Sequence, residues 1–244
     1  VVTDPISARG ISAVVFQDPV IDRVLSGRRN LAIHYRLWHI PSAVAKARID
    51  EVVAAFDLGG VIDRPAGSYS GGQRRRLEIA RALVSAPGVL FLDEPTLGLD
   101  PRIRHELGDV LVTLRSRDGV TVLVTTHYLD EAQRLCDRVG IIHKGRLVAV
   151  GTPAALTAAL GPHLVELRVD CEPGPVLTLL RSRGLAGDDA FSVGATVTIP
   201  LRGASPASVI TEVTTLGLPT AGIASRQPTL EDVFLRVTGD CLAA

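Results

Sequence analysis

Two adjacent carboxylates, Asp93 and Glu94, close a short apolar run over residues 88–92, framed by Pro87 and Pro95. The run reads as a buried strand, and open α/β sheets bind ligands beyond the carboxyl ends of their strands. At such an edge the first carboxylate can hold Mg²⁺, directly or through water. The second can orient or deprotonate an attacking water. The same pair also fits a strand that simply ends in a solvated Asp-Glu turn. Three other groups bear on the choice. Ser70-Gly71-Gly72-Gln73 opens a stretch with helical periodicity. Ser70 stands where an N-cap would stand, and the two glycines let a phosphate approach the exposed N–H groups. His127 follows the strand-like run 120–126, and Gln17 follows the strand-like run 12–16.

The elements that position these groups follow from periodicity and breakers. Residues 1–17 read as a loop and then a strand. Residues 20–66 read as mostly helical, with a helix over 30–38 and another over 41–58 that carries Val44, Ala47/Arg48, Val52 and Ala55/Phe56 as its apolar stripe. From 70 to 152 helix and strand alternate, as in a parallel sheet with helices on its faces. A helix is expected over 101–116, another over 128–137, and a hairpin around His143-Lys144-Gly145. Gly161-Pro162 marks a boundary. Beyond it the pattern is strand 164–169, helix 176–183, strand 191–200, helix 206–216 and strand 220–225. A last helix over 229–236 has Thr229 as cap and Asp232 at the capping-box position.

Composition excludes several classes. The 244 residues carry 26 basic and 26 acidic groups, so formal net charge is zero and nothing favours a nucleic-acid partner. Cys136, Cys171 and Cys241 are odd in number and form no C-x-x-C pair, which favours a reduced cytosolic setting over a disulfide scaffold or zinc site. No apolar run approaches the ~20 residues of a membrane span. His34, His39, His105, His143 and His163 share no spacing and read as surface or packing residues. Arg74-Arg75-Arg76 reads as a solvated helix face.

In this order the motifs resemble the ATP-binding-cassette (ABC) ATPases. Gln17 matches the Q-loop glutamine and Tyr69-Ser70-Gly71-Gly72-Gln73 the family signature. Residues 89–94 match the Walker B strand, 97–100 the D-loop and His127 the switch histidine. Pro228-Thr229-Leu230-Glu231-Asp232-Val233-Phe234, with Tyr69 and the three arginines, is similar to ABC-2-type exporter ATPases of the daunorubicin-resistance kind. The resemblance covers nearly the whole chain. It implies an α/β fold: a partial P-loop NTPase-type parallel sheet with a helical subdomain at about 20–85, plus a small α+β C-terminal extension. The nucleotide-binding part would span 1–160 and the extension 161–244.

The resemblance also assigns roles. The ligands are ATP and Mg²⁺, with Asp93 and Gln17 on the metal and Glu94, His127 and Gln17 acting on water. Ser70, Gly71, Gly72 and Gln73 would serve the γ-phosphate of ATP held by a second ATPase subunit in a head-to-tail dimer. Asp100 would line that dimer contact, a role compatible with capping the helix that starts at Pro101. The other partner is a transmembrane ABC-2-type permease, which places the chain in the cytoplasm on the inner face of the membrane. Trp38 and Ile40 either touch that permease or pack inside the helical subdomain.

One family feature is missing. The phosphate loop, G-x-x-x-x-G-K-[ST], does not occur; the only lysines are Lys46 and Lys144, and neither lies in a Gly-rich loop. The expectation is therefore an exporter ATPase lacking its N-terminal phosphate-loop portion. The alternative is a non-catalytic partner or gene remnant that only completes another subunit's site through its signature. A soluble ABC ATPase of DNA repair or translation is disfavoured by zero net charge and the lack of long heptads or zinc modules.

Overall fold

The computed structural model describes residues 3–239, so Cys241 lies outside the described residues. The chain divides into two packing units, one ending at His127 and the other beginning at Tyr128. The boundary expected at Gly161-Pro162 falls inside the second unit.

The first unit opens with α1 (Pro5–Gly10), where a loop was expected; the Asp4 side chain accepts the Ser7 N–H and Pro5 starts the helix. Then come β1 (Ser12–Val15), α2 (Gly27–Leu37), α3 (Ser42–Ala55), a 3₁₀ turn over Ala66–Ser68 and α4 (Gly71–Leu83). β2 (Val89–Asp93), α5 (Pro101–Asp118) and β3 (Thr121–Thr125) complete it. The strands form a parallel sheet in the order β1-β2-β3. Their register is continuous: Val15 lies beside Leu92 and Leu92 beside Val124. Gln17, Glu94 and His127 therefore leave the carboxyl ends of three neighbouring strands.

One sheet face is packed, through Ala13, Val15, Leu90 and Leu92. The other is not. Val14, Phe91 and Leu123 sit side by side in register and are exposed, so β2 is covered on one face where burial on both was expected. The buried stripe of α3 keeps Val52 and Phe56 as expected but differs in its first half. It is Ala45, Ile49, Val52 and Val53, with Phe56 beyond, while Val44 faces solvent. Ile40 packs against the core.

The second unit runs through α6 (Leu129–Leu135), β4 (Val139–His143), β5 (Arg146–Gly151), α7 (Pro153–Ala158) and β6 (His163–Val169). It ends with α8 (Pro173–Ser182), β7 (Phe191–Val193), β8 (Thr196–Leu201), α9 (Pro206–Thr215), β9 (Thr220–Arg226) and α10 (Leu230–Thr238). β4 and β5 pair as a hairpin whose two turn residues, Lys144 and Gly145, both have positive φ, as a type I′ turn requires. The run expected as one strand over 191–200 is two, folded back at Gly194 (φ +54°). That hairpin gives a four-stranded antiparallel sheet in the order β7-β8-β6-β9. With α8 and α9 this is the β-α-β-β-α-β arrangement of ferredoxin-like folds. Val165, Leu167, Val169, Val197, Ile199 and Leu201 fill its core with Val176, Leu180, Val209 and Val213 from the helices. The capping box of α10 is present: Asp232 accepts the Thr229 N–H at 2.8 Å. Among the described residues no helix is long and apolar enough to cross a membrane.

Candidate active site

Asp93 is the last residue of β2, and its Oδ1 accepts the Thr125 hydroxyl of β3 at 2.6 Å. Glu94 turns the chain out of the strand with φ +42°, an uncommon conformation for a residue with a side chain. Its N–H is held by the Thr125 carbonyl at 3.2 Å and the Thr125 hydroxyl at 3.1 Å. One step past β3, His127 Nδ1 lies 3.0 Å from Glu94 Oε2. The two side chains are 40% and 22% exposed, so the pair is within reach of solvent water. The structure thus brings together Asp93, Glu94 and His127, three of the four groups expected to handle metal and water. Gln17 is exposed at the end of the neighbouring strand.

The signature residues sit at the start of α4. The Gln73 N–H donates to Ser70 Oγ at 3.2 Å, and the Ser70 N–H donates to Gln73 Oε1 at 3.0 Å, a closed capping box. The two glycines differ. Gly71 is exposed with open space around it, whereas a Cβ on Gly72 would meet Ile103 of α5 at 2.7 Å. Gly72 is therefore required by helix packing, whatever else it does. Asp100 caps α5, its Oδ1 accepting the Ile103 N–H at 3.0 Å.

The arginine run is not a solvated face. Arg75 is buried, 8% exposed, and Arg74 donates to the Tyr69 carbonyl at 2.6 Å. Arg76 pairs with Glu106 of α5. Arg75 donates to the carbonyls of Phe16, Asp93, Glu94 and Pro95 and pairs with buried Glu78. Sequence reasoning missed this residue. The one signal was Glu78 three positions on, an i,i+3 partner on the same helix face.

The family model of the ABC transporter matches residues 3–97. The daunorubicin resistance ATP-binding protein DrrA3 of Streptomyces coeruleorubidus is 40% identical over 92% of this chain and 71% of its own length. The Nod factor export ATP-binding protein I of Ralstonia nicotianae is 37% identical over 95% of this chain and 72% of its own. Among solved structures, cbiO1 from Clostridium perfringens, part of the ABC transporter complex cbiONQ, is 31% identical with a TM-score of 0.58. That match spans 62% of this chain and 61% of that one. An ATP binding subunit of an ABC transporter, 23% identical with a TM-score of 0.55 over 87% of this chain and 72% of that one, shares the fold. The chain belongs to the ABC transporter family, within the group of daunorubicin-resistance-type ATP-binding proteins, and is an ABC-type ATPase by that membership.

Proposed function

We propose that the chain is the water-activating and signature-bearing part of an ATPase subunit that powers an ABC-2-type exporter. The carrying observation is the Glu94–His127 contact of 3.0 Å beside Asp93, at the shared end of three parallel strands. Glu94 accepts the proton of the attacking water, and His127 holds the Glu94 carboxylate toward it. Gln17, from the adjacent strand end, would serve the same water and the metal. Asp93 would hold Mg²⁺. Its exposed carboxylate, fixed through one oxygen by Thr125, suits an ion that takes one or two carboxylates along with substrate phosphates. That mode needs no protein cage, and no cluster of three His, Cys, Asp or Glu able to hold a metal occurs among the described residues. When bound, the ion neutralises charge on the phosphates.

Ser70, Gly71, Gly72 and Gln73 serve ATP on a second subunit, from the N-terminus of α4. Asp100 lies at the start of α5, in the same dimer contact. Docking to the permease uses Ile33 and Leu37, exposed one turn apart on α2, in place of Ile40, which is packed inward. These partners place the subunit on the cytoplasmic face of the membrane.

The 244 residues hold no G-x-x-x-x-G-K-[ST] pattern, so the triphosphate needs a loop from outside them. The purified chain alone is expected to show no detectable ATPase activity. Joined behind the phosphate-loop segment of a daunorubicin-type relative, it is expected to turn ATP over. There Glu94→Gln should lower kcat by on the order of 100-fold or more, with ATP binding retained. Turnover by the chain alone, or a Glu94→Gln form within a few-fold of its parent, would sink the reading. Activity that arises only on mixing with an intact relative carrying a dead signature would assign the chain the non-catalytic partner role.

A further inference from the structure

A guanidinium has five N–H donors, and the one on Arg75 uses all five. Nε donates to the Pro95 carbonyl at 2.8 Å. Nη1 donates to the Phe16 carbonyl at 2.7 Å and to Glu78 Oε2 at 3.0 Å. Nη2 donates to the carbonyls of Asp93 at 2.8 Å and Glu94 at 3.2 Å. The other oxygen of Glu78 accepts the Val20 N–H at 2.9 Å. One buried ion pair on α4 therefore grips the chain on both sides of Gln17 and the three consecutive carbonyls at 93–95.

The middle carbonyl of those three belongs to Glu94, whose backbone is held at φ +42°. An L-residue leaves that region unless its surroundings over-determine it. Thr125 secures the Glu94 N–H from β3, and Arg75 secures its C=O from α4. With both ends of the residue fixed, the carboxylate is aimed at His127. Arg75 lies one helical turn beyond Ser70, so the same contacts make the signature helix and the carboxylate turn one rigid piece.

We propose that Arg75, with Glu78 as its counter-charge, is the positioning residue that sets Glu94 against His127. The proposal rests on the reading of Glu94 as the water-activating carboxylate, but its test does not use turnover. In the 244-residue chain, Arg75→Gln leaves one amide to replace five donors. The Glu94 and Leu97 amides, which flank the gripped turn, are expected to exchange with deuterium at least 10-fold faster than in the parent. The ladder amides of Leu90 and Leu92 stay within two-fold. The His127 Nδ1 nitrogen resonance moves to its position in a Glu94→Ala chain, and Arg75→Lys restores part of the difference.

Glu78→Gln is the second variant, should Arg75→Gln fail to fold. Its amide oxygen still accepts the Val20 N–H while the ion pair is lost, and it is expected to shift the same signals in the same direction by less. Exchange that rises equally along β2, or a His127 signal that stays at its parent position in a folded variant, would reduce Arg75 to a packing residue and overturn the proposal. Failure of Glu94→Gln to lower turnover would instead strike the functional reading and leave these spectra as they are.

Discussion

The parallel sheet β1-β2-β3 and the four-stranded sheet β7-β8-β6-β9 differ in how completely they are covered. The first carries the candidate chemistry at its strand ends and leaves a row of apolar side chains, Val14, Phe91 and Leu123, open to solvent. The second carries no chemical motif, and none of its strands exposes a large apolar side chain among the described residues. Chemistry and packing are thus separable here. The motif residues need only the carboxyl ends of the strands and the α4 helix behind them, not a sheet buried on both faces.

Substitutions at equivalent inward and outward positions sharpen that contrast. Leu167→Ala, in the fully buried centre of β6, is expected to cost about 2–5 kcal/mol of unfolding free energy, because it leaves a cavity. Leu123→Thr, on the open face of β3, is expected to stay within about 0.5 kcal/mol. It should also reduce self-association, since exposed apolar rows recruit partners. Urea titrations and light scattering of both variants check this. A large loss at Leu123 would mean the open face is covered in solution and the contrast is false.

Acid separates the two units more gently. His34 lies on α2, and its Nε2 is buried without a hydrogen-bond partner. Burial, reinforced by the positive charge of Arg81, pushes the imidazole down to about 4 from the ordinary 6.5. The unfolded chain binds that proton more readily, so the contribution is complete above pH 6.5 and is lost as pH falls toward 4. The full shift corresponds to about 3 kcal/mol, and partial exposure reduces it to about 1–2 kcal/mol. Trp38, the only tryptophan, caps the same helix beside His34 and reports this unit by fluorescence. In the second unit burial pushes the Asp232 carboxyl up. Arg226 and the Thr229 N–H outweigh it and leave the group below its ordinary 3.8. That contribution persists above pH 3.8 and is lost only below it. On acidification the Trp38 transition should therefore weaken first, and His34→Gln should flatten it. Parallel pH dependence in parent and His34→Gln would remove His34 as the cause.

The sequence made the site residues legible because each stands at the end of an apolar run or at a helix start, where local pattern alone places it. Asp93, Glu94 and His127 come together as that logic requires. Arg75 was not legible. Its partners are main-chain carbonyls at 16 and 93–95, which have no signature in sequence, and three adjacent arginines look like a solvated face. The open side of β2 was hidden for a related reason: an apolar run says that a strand is packed, not on how many faces. The break at Gly194 was lost inside a continuous β-prone stretch, since a two-residue turn needs only one glycine at positive φ to reverse the chain. On α3 the first half of the stripe fell one position away, at Ala45 and Ile49, because alanines on both sides of Val44 leave the face open there, while Val52 and Phe56 are buried as expected.

On the proposed reading, Glu94 and His127 act as one unit on water. A double-mutant cycle on kcat tests it most directly, in the form joined behind a relative's phosphate loop: Glu94→Gln, His127→Ala and the two together. If the pair is a unit, the double variant should fall little below the weaker single variant, because losing either partner already disables the other. Losses that multiply would show two independent groups that merely stand 3.0 Å apart, with no shared action on water.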